Sequence, residues 1–177
     1  MRRISIILAS LMLVFSPAYG KKMPKAKVSN DATKYLDASF GVYDAMQKKI
    51  HSLAELGYME YESSSLLASH LEEHGFTVER GVAGIPTAFV ASFGSGSPVI
   101  GLLAEYDALP GMSQDTVSYK KAVTEGAAGH GCGHNLLGAY LKSLAARSAG
   151  CMVLISSSSR VSPAAIFSSV WKCVSSM

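Results

Sequence analysis

An α/β layer is the fold class this sequence predicts, on three observations. Apolar residues recur at helical spacing over 31–51 and 60–74. Three short strand-like runs bounded by glycine or proline follow at 76–79, 87–93 and 99–103, the last of them apolar throughout apart from Gly101. Helical spacing returns after Asn135. Helices before, strands in the middle and a helix after bury their apolar faces best by helix-on-sheet packing.

The first element is an address. Met1-Arg2-Arg3 is basic, Ile4 to Phe15 is apolar, Ser16-Pro17 breaks the run, and Ala18 and Gly20 stand at −3 and −1 of a cut. This is the three-part pattern of a secretory signal, so residues 1–20 are expected to direct export to the periplasm or medium, with a mature start near Lys21. An apolar run of about 12 residues is short of the ~20 that span a membrane, so no stable membrane anchor is expected. Residues 21–30, with Lys21, Lys22, Lys25 and Lys27, form a basic linker.

Asn30-Asp31 is placed to cap the first helix, whose stripe is Leu36, Phe40, Tyr43 and Ile50. The second helix carries Leu66, Leu67 and Leu71 and stops at Gly75. Gly94 to Pro98 reads as a hairpin-like turn. Val99 to Leu103 reads as a buried strand, being apolar without alternation. Asn135 is expected to cap a third helix.

Composition narrows the function classes. The chain has 177 residues, 49% hydrophobic and 16% charged, and cannot be a disordered acidic or basic tail. A net charge of +3 without clustering gives no reason to expect a nucleic-acid partner. Three cysteines cannot close a disulfide framework. No Asp or Glu follows Glu125, and no His follows His134.

Two segments have the residue types for chemistry. In His130-Gly131-Cys132-Gly133-His134, imidazole and thiolate donors stand at every second position, and glycine lets such ligands converge. Glu105 and Asp107 follow the strand at 99–103, at the strand end where α/β folds place their sites. They can be ligands or can hold a ligand's second nitrogen. A glycine-rich loop with a packed Cys and two satisfied histidines is the alternative. Cys132 and His134 are expected to face one space near Asp107. The other segment, His70-Leu71-Glu72-Glu73-His74, matches the H-x-x-E-H pattern of inverted zinc peptidases. The segment reads as an ordinary helix boundary, explained by Leu66, Leu67 and Leu71, so His70 and His74 are expected to be dispensable for metal, the zinc-peptidase pattern being the alternative.

The runs Pro86-Thr87-Ala88-Phe89-Val90, Leu103-Ala104-Glu105-Tyr106-Asp107-Ala108-Leu109-Pro110-Gly111 and Gly129-His130-Gly131-Cys132-Gly133-His134-Asn135-Leu136-Leu137-Gly138 occur in that order. Together they resemble the N-terminal part of peptidase family M20, in the aminobenzoyl-glutamate hydrolase and aminoacylase branch. The resemblance runs from about Tyr35 to Ala139. It implies a zinc-exopeptidase-like catalytic domain, a mixed sheet flanked by helices, of which residues 31–147 hold a part that is incomplete on its C-terminal side. It implies two divalent metals, zinc or manganese, and hydrolysis of an amide beside a free carboxylate. The substrate would be an N-acyl amino acid or an aminobenzoyl-glutamate-like small molecule, and the complete enzyme a homodimer. Carried onto this chain, Cys132 and His134 are metal ligands, while Asp107, Glu105 and His130 support the site. Glu105 stands where the wider superfamily often has a ligand His.

The family also supplies a later Glu-Glu pair, one acid being the general base, and further ligand histidines. No residue here matches them, and the serine-rich stretch 148–177 resembles no part of the family. The chain is therefore expected to be a truncated, inactive form, the alternatives being a non-catalytic metal-binding or interaction remnant and a zinc peptidase built on His70, Glu73 and His74.

Overall fold

A computed structural model describes residues 30–95, 100–145 and 151–155. The expected signal segment, most of the basic linker and most of the serine-rich stretch lie outside the described residues. No helix among the described residues is long and apolar enough to cross a membrane.

The elements run α1 (Asn30–Leu53), α2 (Tyr61–Glu73), β1 (Thr77–Arg80), β2 (Phe89–Phe93), β3 (Ile100–Ala104), α3 (His134–Ala145) and β4 (Cys151–Ile155), with a short 3-10 turn at Val82–Gly84. The sheet order is β1-β2-β4-β3. β2 is antiparallel to both β1 and β4, and β3 runs parallel to β4. The sheet is therefore mixed, as the α/β reading requires. β4 is the apolar run Cys151–Ile155, a strand not expected within the serine-rich stretch, and it pairs with strands on both sides.

Its insertion between β2 and β3 corrects the reading of Gly94 to Pro98. Strands β2 and β3 are not neighbours in the sheet and so do not form a hairpin, while residues 96–99 between them lie outside the described residues. It also corrects the reading of the strand at 99–103. Described β3 has a partner on one side only, and Ile100 and Leu103 are exposed. An unbroken apolar run was a sign of strand structure here, not of burial on both faces.

The core gathers Met46 and Ile50 from α1, Leu67, Ala68 and Leu71 from α2, and Ala139 from α3. These meet Phe76, Phe89, Ala91, Ala104 and Tyr106 on the sheet side. In α1 the buried positions Tyr43, Met46 and Ile50 follow i, i+3, i+7 spacing. Leu36 and Phe40, expected in the same stripe, are exposed, while the core residues α1 contributes among the described residues, Met46 and Ile50, lie on its later turns.

Helix α2 is held at both ends. The Glu55 carboxylate accepts from the backbone N–H groups of Glu62 (3.0 Å) and Ser63 (2.8 Å) and from Ser63 Oγ (2.6 Å), satisfying first-turn donors from outside the helix. At the other end Phe76 N–H donates to Leu71 O and Gly75 N–H to Glu72 O, with Gly75 at φ 83°. This is the left-handed glycine closure expected of Gly75.

Candidate metal centre

Strand β3 delivers Glu105, Tyr106 and Asp107 to the end of the sheet. Three backbone attachments hold the segment that follows. Ala108 N–H donates to Glu55 O at 2.7 Å, and Leu109 and Gly129 exchange N–H···O bonds of 2.9 and 3.0 Å. The second attachment draws the loop carrying 130–134 alongside 105–109. Gly129 is needed for this approach: a Cβ there would lie 2.2 Å from Met112 O. Helix α3 then begins at His134, with Leu136 and Leu137 N–H donating to Gly133 O. Asn135 is not the cap that the sequence suggested. Its Nδ2 instead donates to Gln47 Oε1 (2.8 Å) and Gln47 O (3.4 Å), tying α3 to α1.

This places His134 between two carboxylates. Its Nδ1 lies 2.8 Å from Asp107 Oδ1 and its Nε2 lies 3.1 Å from Glu105 Oε2. Ligand atoms of the three residues fall within 4.8 Å of one another. A carboxylate only accepts, so Nδ1 carries the proton shared with Asp107. In the neutral ring Nε2 then presents a lone pair to another acceptor, Glu105. Two acceptors face each other stably only with a proton or cation between them. Two donors each ~2.0–2.2 Å from one ion lie about 3 Å apart, and the observed separation meets that condition. A carboxylate–imidazole donor set with its second nitrogen held by an acid suits a divalent ion of the zinc or manganese type.

Cys132 is exposed and is not among the donors gathered at this point. His130 Nε2 donates to Ile50 O at 3.2 Å, and its ring lies 5.7 Å from that of His51. Its buried Nδ1 has no partner among the described residues, and burial holds its pKa below the usual histidine range. His130 also lines an open cleft of about 790 Å³ with His51, Met112 and Lys120.

The sequence offered no sign of the layer beneath. Glu60 is fully buried, with Oε2 accepting from Thr87 Oγ1 at 2.8 Å and Oε1 without a hydrogen-bond partner among the described residues. Burial raises its carboxyl from 4.5 to about 7. Tyr106 is also fully buried, and its hydroxyl donates to Thr87 O. Glu60 had read as a helix entrance and Tyr106 as part of a strand end. Only their depth in the fold marks them.

His70, Glu73 and His74 also bring ligand atoms within 4.8 Å of one another. Leu67 and Leu71 face the core from the same helix, whereas Glu73 and His74 are exposed. The leucines therefore account for burial of a different face of α2.

No family model matches the chain. A p-aminobenzoyl-glutamate hydrolase subunit of Escherichia coli is 46% identical over 112 residues, covering 63% of this chain and 22% of that protein. The thermostable carboxypeptidase 2 of Saccharolobus solfataricus is 37% identical over 123 residues, covering 65% of this chain and 30% of that protein. This chain thus spans about a fifth to a third of the length of these relatives. Among solved structures, the Bacillus subtilis YxeP protein, a dinuclear metal-binding peptidase of the M20 family, superposes with a TM-score of 0.56. It is 22% identical, with 67% of this chain and 35% of that one covered, a likeness of fold. The homologues of this chain therefore include a p-aminobenzoyl-glutamate hydrolase subunit and a carboxypeptidase, and its described helices and mixed sheet share the α/β fold of an M20-family peptidase.

Proposed function

We propose that this chain carries part of the metal centre of an M20-type amidohydrolase that cleaves the amide of an N-acyl amino acid or an aminobenzoyl-glutamate-like molecule. The observation that carries this reading is His134 held by Asp107 at Nδ1 with Nε2 turned to Glu105. His134 Nε2 and Glu105 hold the ion, and Asp107 fixes the imidazole tautomer and its direction. Cys132 joins as a ligand on the strength of the family resemblance. A divalent ion there supplies Lewis acidity toward the scissile carbonyl and toward water. The resemblance calls for two such ions, with zinc and manganese the candidates.

Amide hydrolysis also needs a group to take the proton from water, worth about 10²–10⁴-fold. Among the described residues the carboxylates gathered at this centre are Glu105 and Asp107, and both are engaged with His134. The 177-residue chain alone is accordingly a metal-binding protein without turnover, and catalysis belongs to a form that adds a base. The names of its relatives support a small-molecule substrate and an oligomeric assembly, a homodimer being our specific proposal. We further propose export directed by residues 1–20, which N-terminal sequencing of exported protein beginning near Lys21 would support.

The test is metal content after chelation and reloading with zinc or manganese. His134→Ala is expected to abolish binding at this centre. With Co²⁺ as probe, a thiolate-to-cobalt absorption band that disappears in Cys132→Ala would assign the thiol. Retention of metal by His134→Ala at wild-type stoichiometry and affinity would refute the site. Hydrolysis of N-acyl amino acids or aminobenzoyl-glutamate by the chain alone, lost in Cys132→Ala, would refute the absence of turnover.

A further inference from the structure

We infer that His70, Glu73 and His74 form a second divalent-metal site, on the outer face of α2, separate from the centre at Glu105, Asp107 and His134. The three residues occupy i, i+3 and i+4 of one helix, so their side chains project to the same side. Their ligand atoms already lie within 4.8 Å of one another, and the two imidazole centroids are 4.4 Å apart.

The two rings are oriented without metal. His74 Nδ1 lies 2.7 Å from His70 O. A carbonyl only accepts, so Nδ1 carries the proton and Nε2 keeps the lone pair that a metal takes. His74 is also the C-cap residue of α2, fixed by the hydrogen bonds of Gly75 and Phe76 that close the helix. His70 packs edge-on against Tyr43 of α1, with centroids 6.0 Å apart, which sets the plane of its ring. Little ordering entropy then remains to be lost on binding.

Two imidazoles and one carboxylate are a borderline donor set suited to Zn²⁺, leaving positions for water. Among the described residues, His70 and Glu73 line an open cleft of about 490 Å³ together with Glu62 and Ser69. A cation bound at three points on the last turn stabilises α2 by mass action. At a free concentration 100 times Kd the folded-to-unfolded ratio rises about 100-fold.

Zinc titration of the chelator-treated chain by calorimetry tests the site. His74→Gln and Glu73→Gln change exposed side chains, and circular dichroism checks that α2 persists. His74→Gln is expected to remove one zinc equivalent, or to weaken one binding event by more than the about 10–100-fold that loss of a supporting partner costs. Glu73→Gln should weaken the same event. Two equivalents falling to one supports both metal sites. One equivalent falling to none supports the α2 site and counts against the Glu105–Asp107–His134 centre. Zinc stoichiometry and affinity unchanged in His74→Gln overturn the inference. If His74→Gln loses helix, zinc protection of the wild-type α2 amides from hydrogen exchange decides in its place, and its absence also overturns the inference.

Discussion

Glu105, Asp107 and His134 reach one another from the end of β3 and the start of α3, 27 residues apart in the case of Asp107 and His134. His70, Glu73 and His74 come from a single turn of α2. Both clusters hold imidazole and carboxylate donors within the same 4.8 Å span. The first depends on the Leu109–Gly129 attachment, the Ala108–Glu55 bond and the sheet behind them. The second depends on helix geometry and a glycine closure. Coordination is thus reachable by long-range assembly or by local repeat, and the two should respond differently to damage.

The largest expected difference comes from Gly129→Ala. Its Cβ would stand 2.2 Å from the backbone oxygen of Met112, which cannot rotate aside. We expect a loss of about 3 kcal/mol, at the upper end of ordinary overpacking. Metal should leave the Glu105–Asp107–His134 centre, while α2 retains its own in any protein that stays folded. Denaturant titration with zinc counting measures both, and equal loss at the two clusters would erase the contrast.

Glu60 sharpens it through pH. It is fully buried and feels the charge of Asp107 in the assembled centre, whereas Glu73 of the α2 cluster is exposed. Burial raises its carboxyl from 4.5 to about 7, so the folded chain binds more protons than the unfolded chain between those values. The sign follows: the neutral form contributes fully below 4.5, and stability is lost as pH rises through 7. About 3 kcal/mol should separate pH 4 from pH 8 through this group. Glu60→Gln, neutral throughout, should flatten that part of the profile. A profile parallel to wild type would show that Glu60 is not held in its neutral form.

Asp107→Asn is the mildest of the three. Asn can still accept from His134 Nδ1–H, but it carries no charge. Metal affinity at the assembled centre should fall about 10–100-fold, the cost of losing an outer carboxylate. His70–Glu73–His74 should be untouched, as calorimetry on wild type and variant would show.

Much of this architecture was legible before folding. Helical spacing located α1, α2 and α3, Gly75 marked the end of α2, and the Glu105-to-Gly111 and Gly129-to-Gly138 runs pointed to the M20-type relatives. Asp107 was expected near His134 from its place after the strand and from the family resemblance, and the two are hydrogen-bonded. Other features were not legible, each for a physical reason. The apolar run Cys151–Ile155 marks a strand, but its place between β2 and β3 depends on long-range pairing that no local spacing specifies. Asn135 looks like a cap in isolation, but Gln47 of α1 offers its side chain a partner. Cys132 looks equivalent to His134 in the motif, yet it is exposed outside the gathered donors.

The sequence by itself determined the helices, the closure of α2, the kinds of donor available and the whole of the His70–Glu73–His74 cluster. These depend on contacts within a few residues, where spacing alone sets geometry. Only the tertiary structure decided the strand order, the burial of Glu60 and Tyr106, and the choice of Glu105 over Cys132 as the group facing His134 Nε2. Those outcomes require distant segments to close on one another, and which atoms then meet depends on packing and backbone pairing across the whole layer.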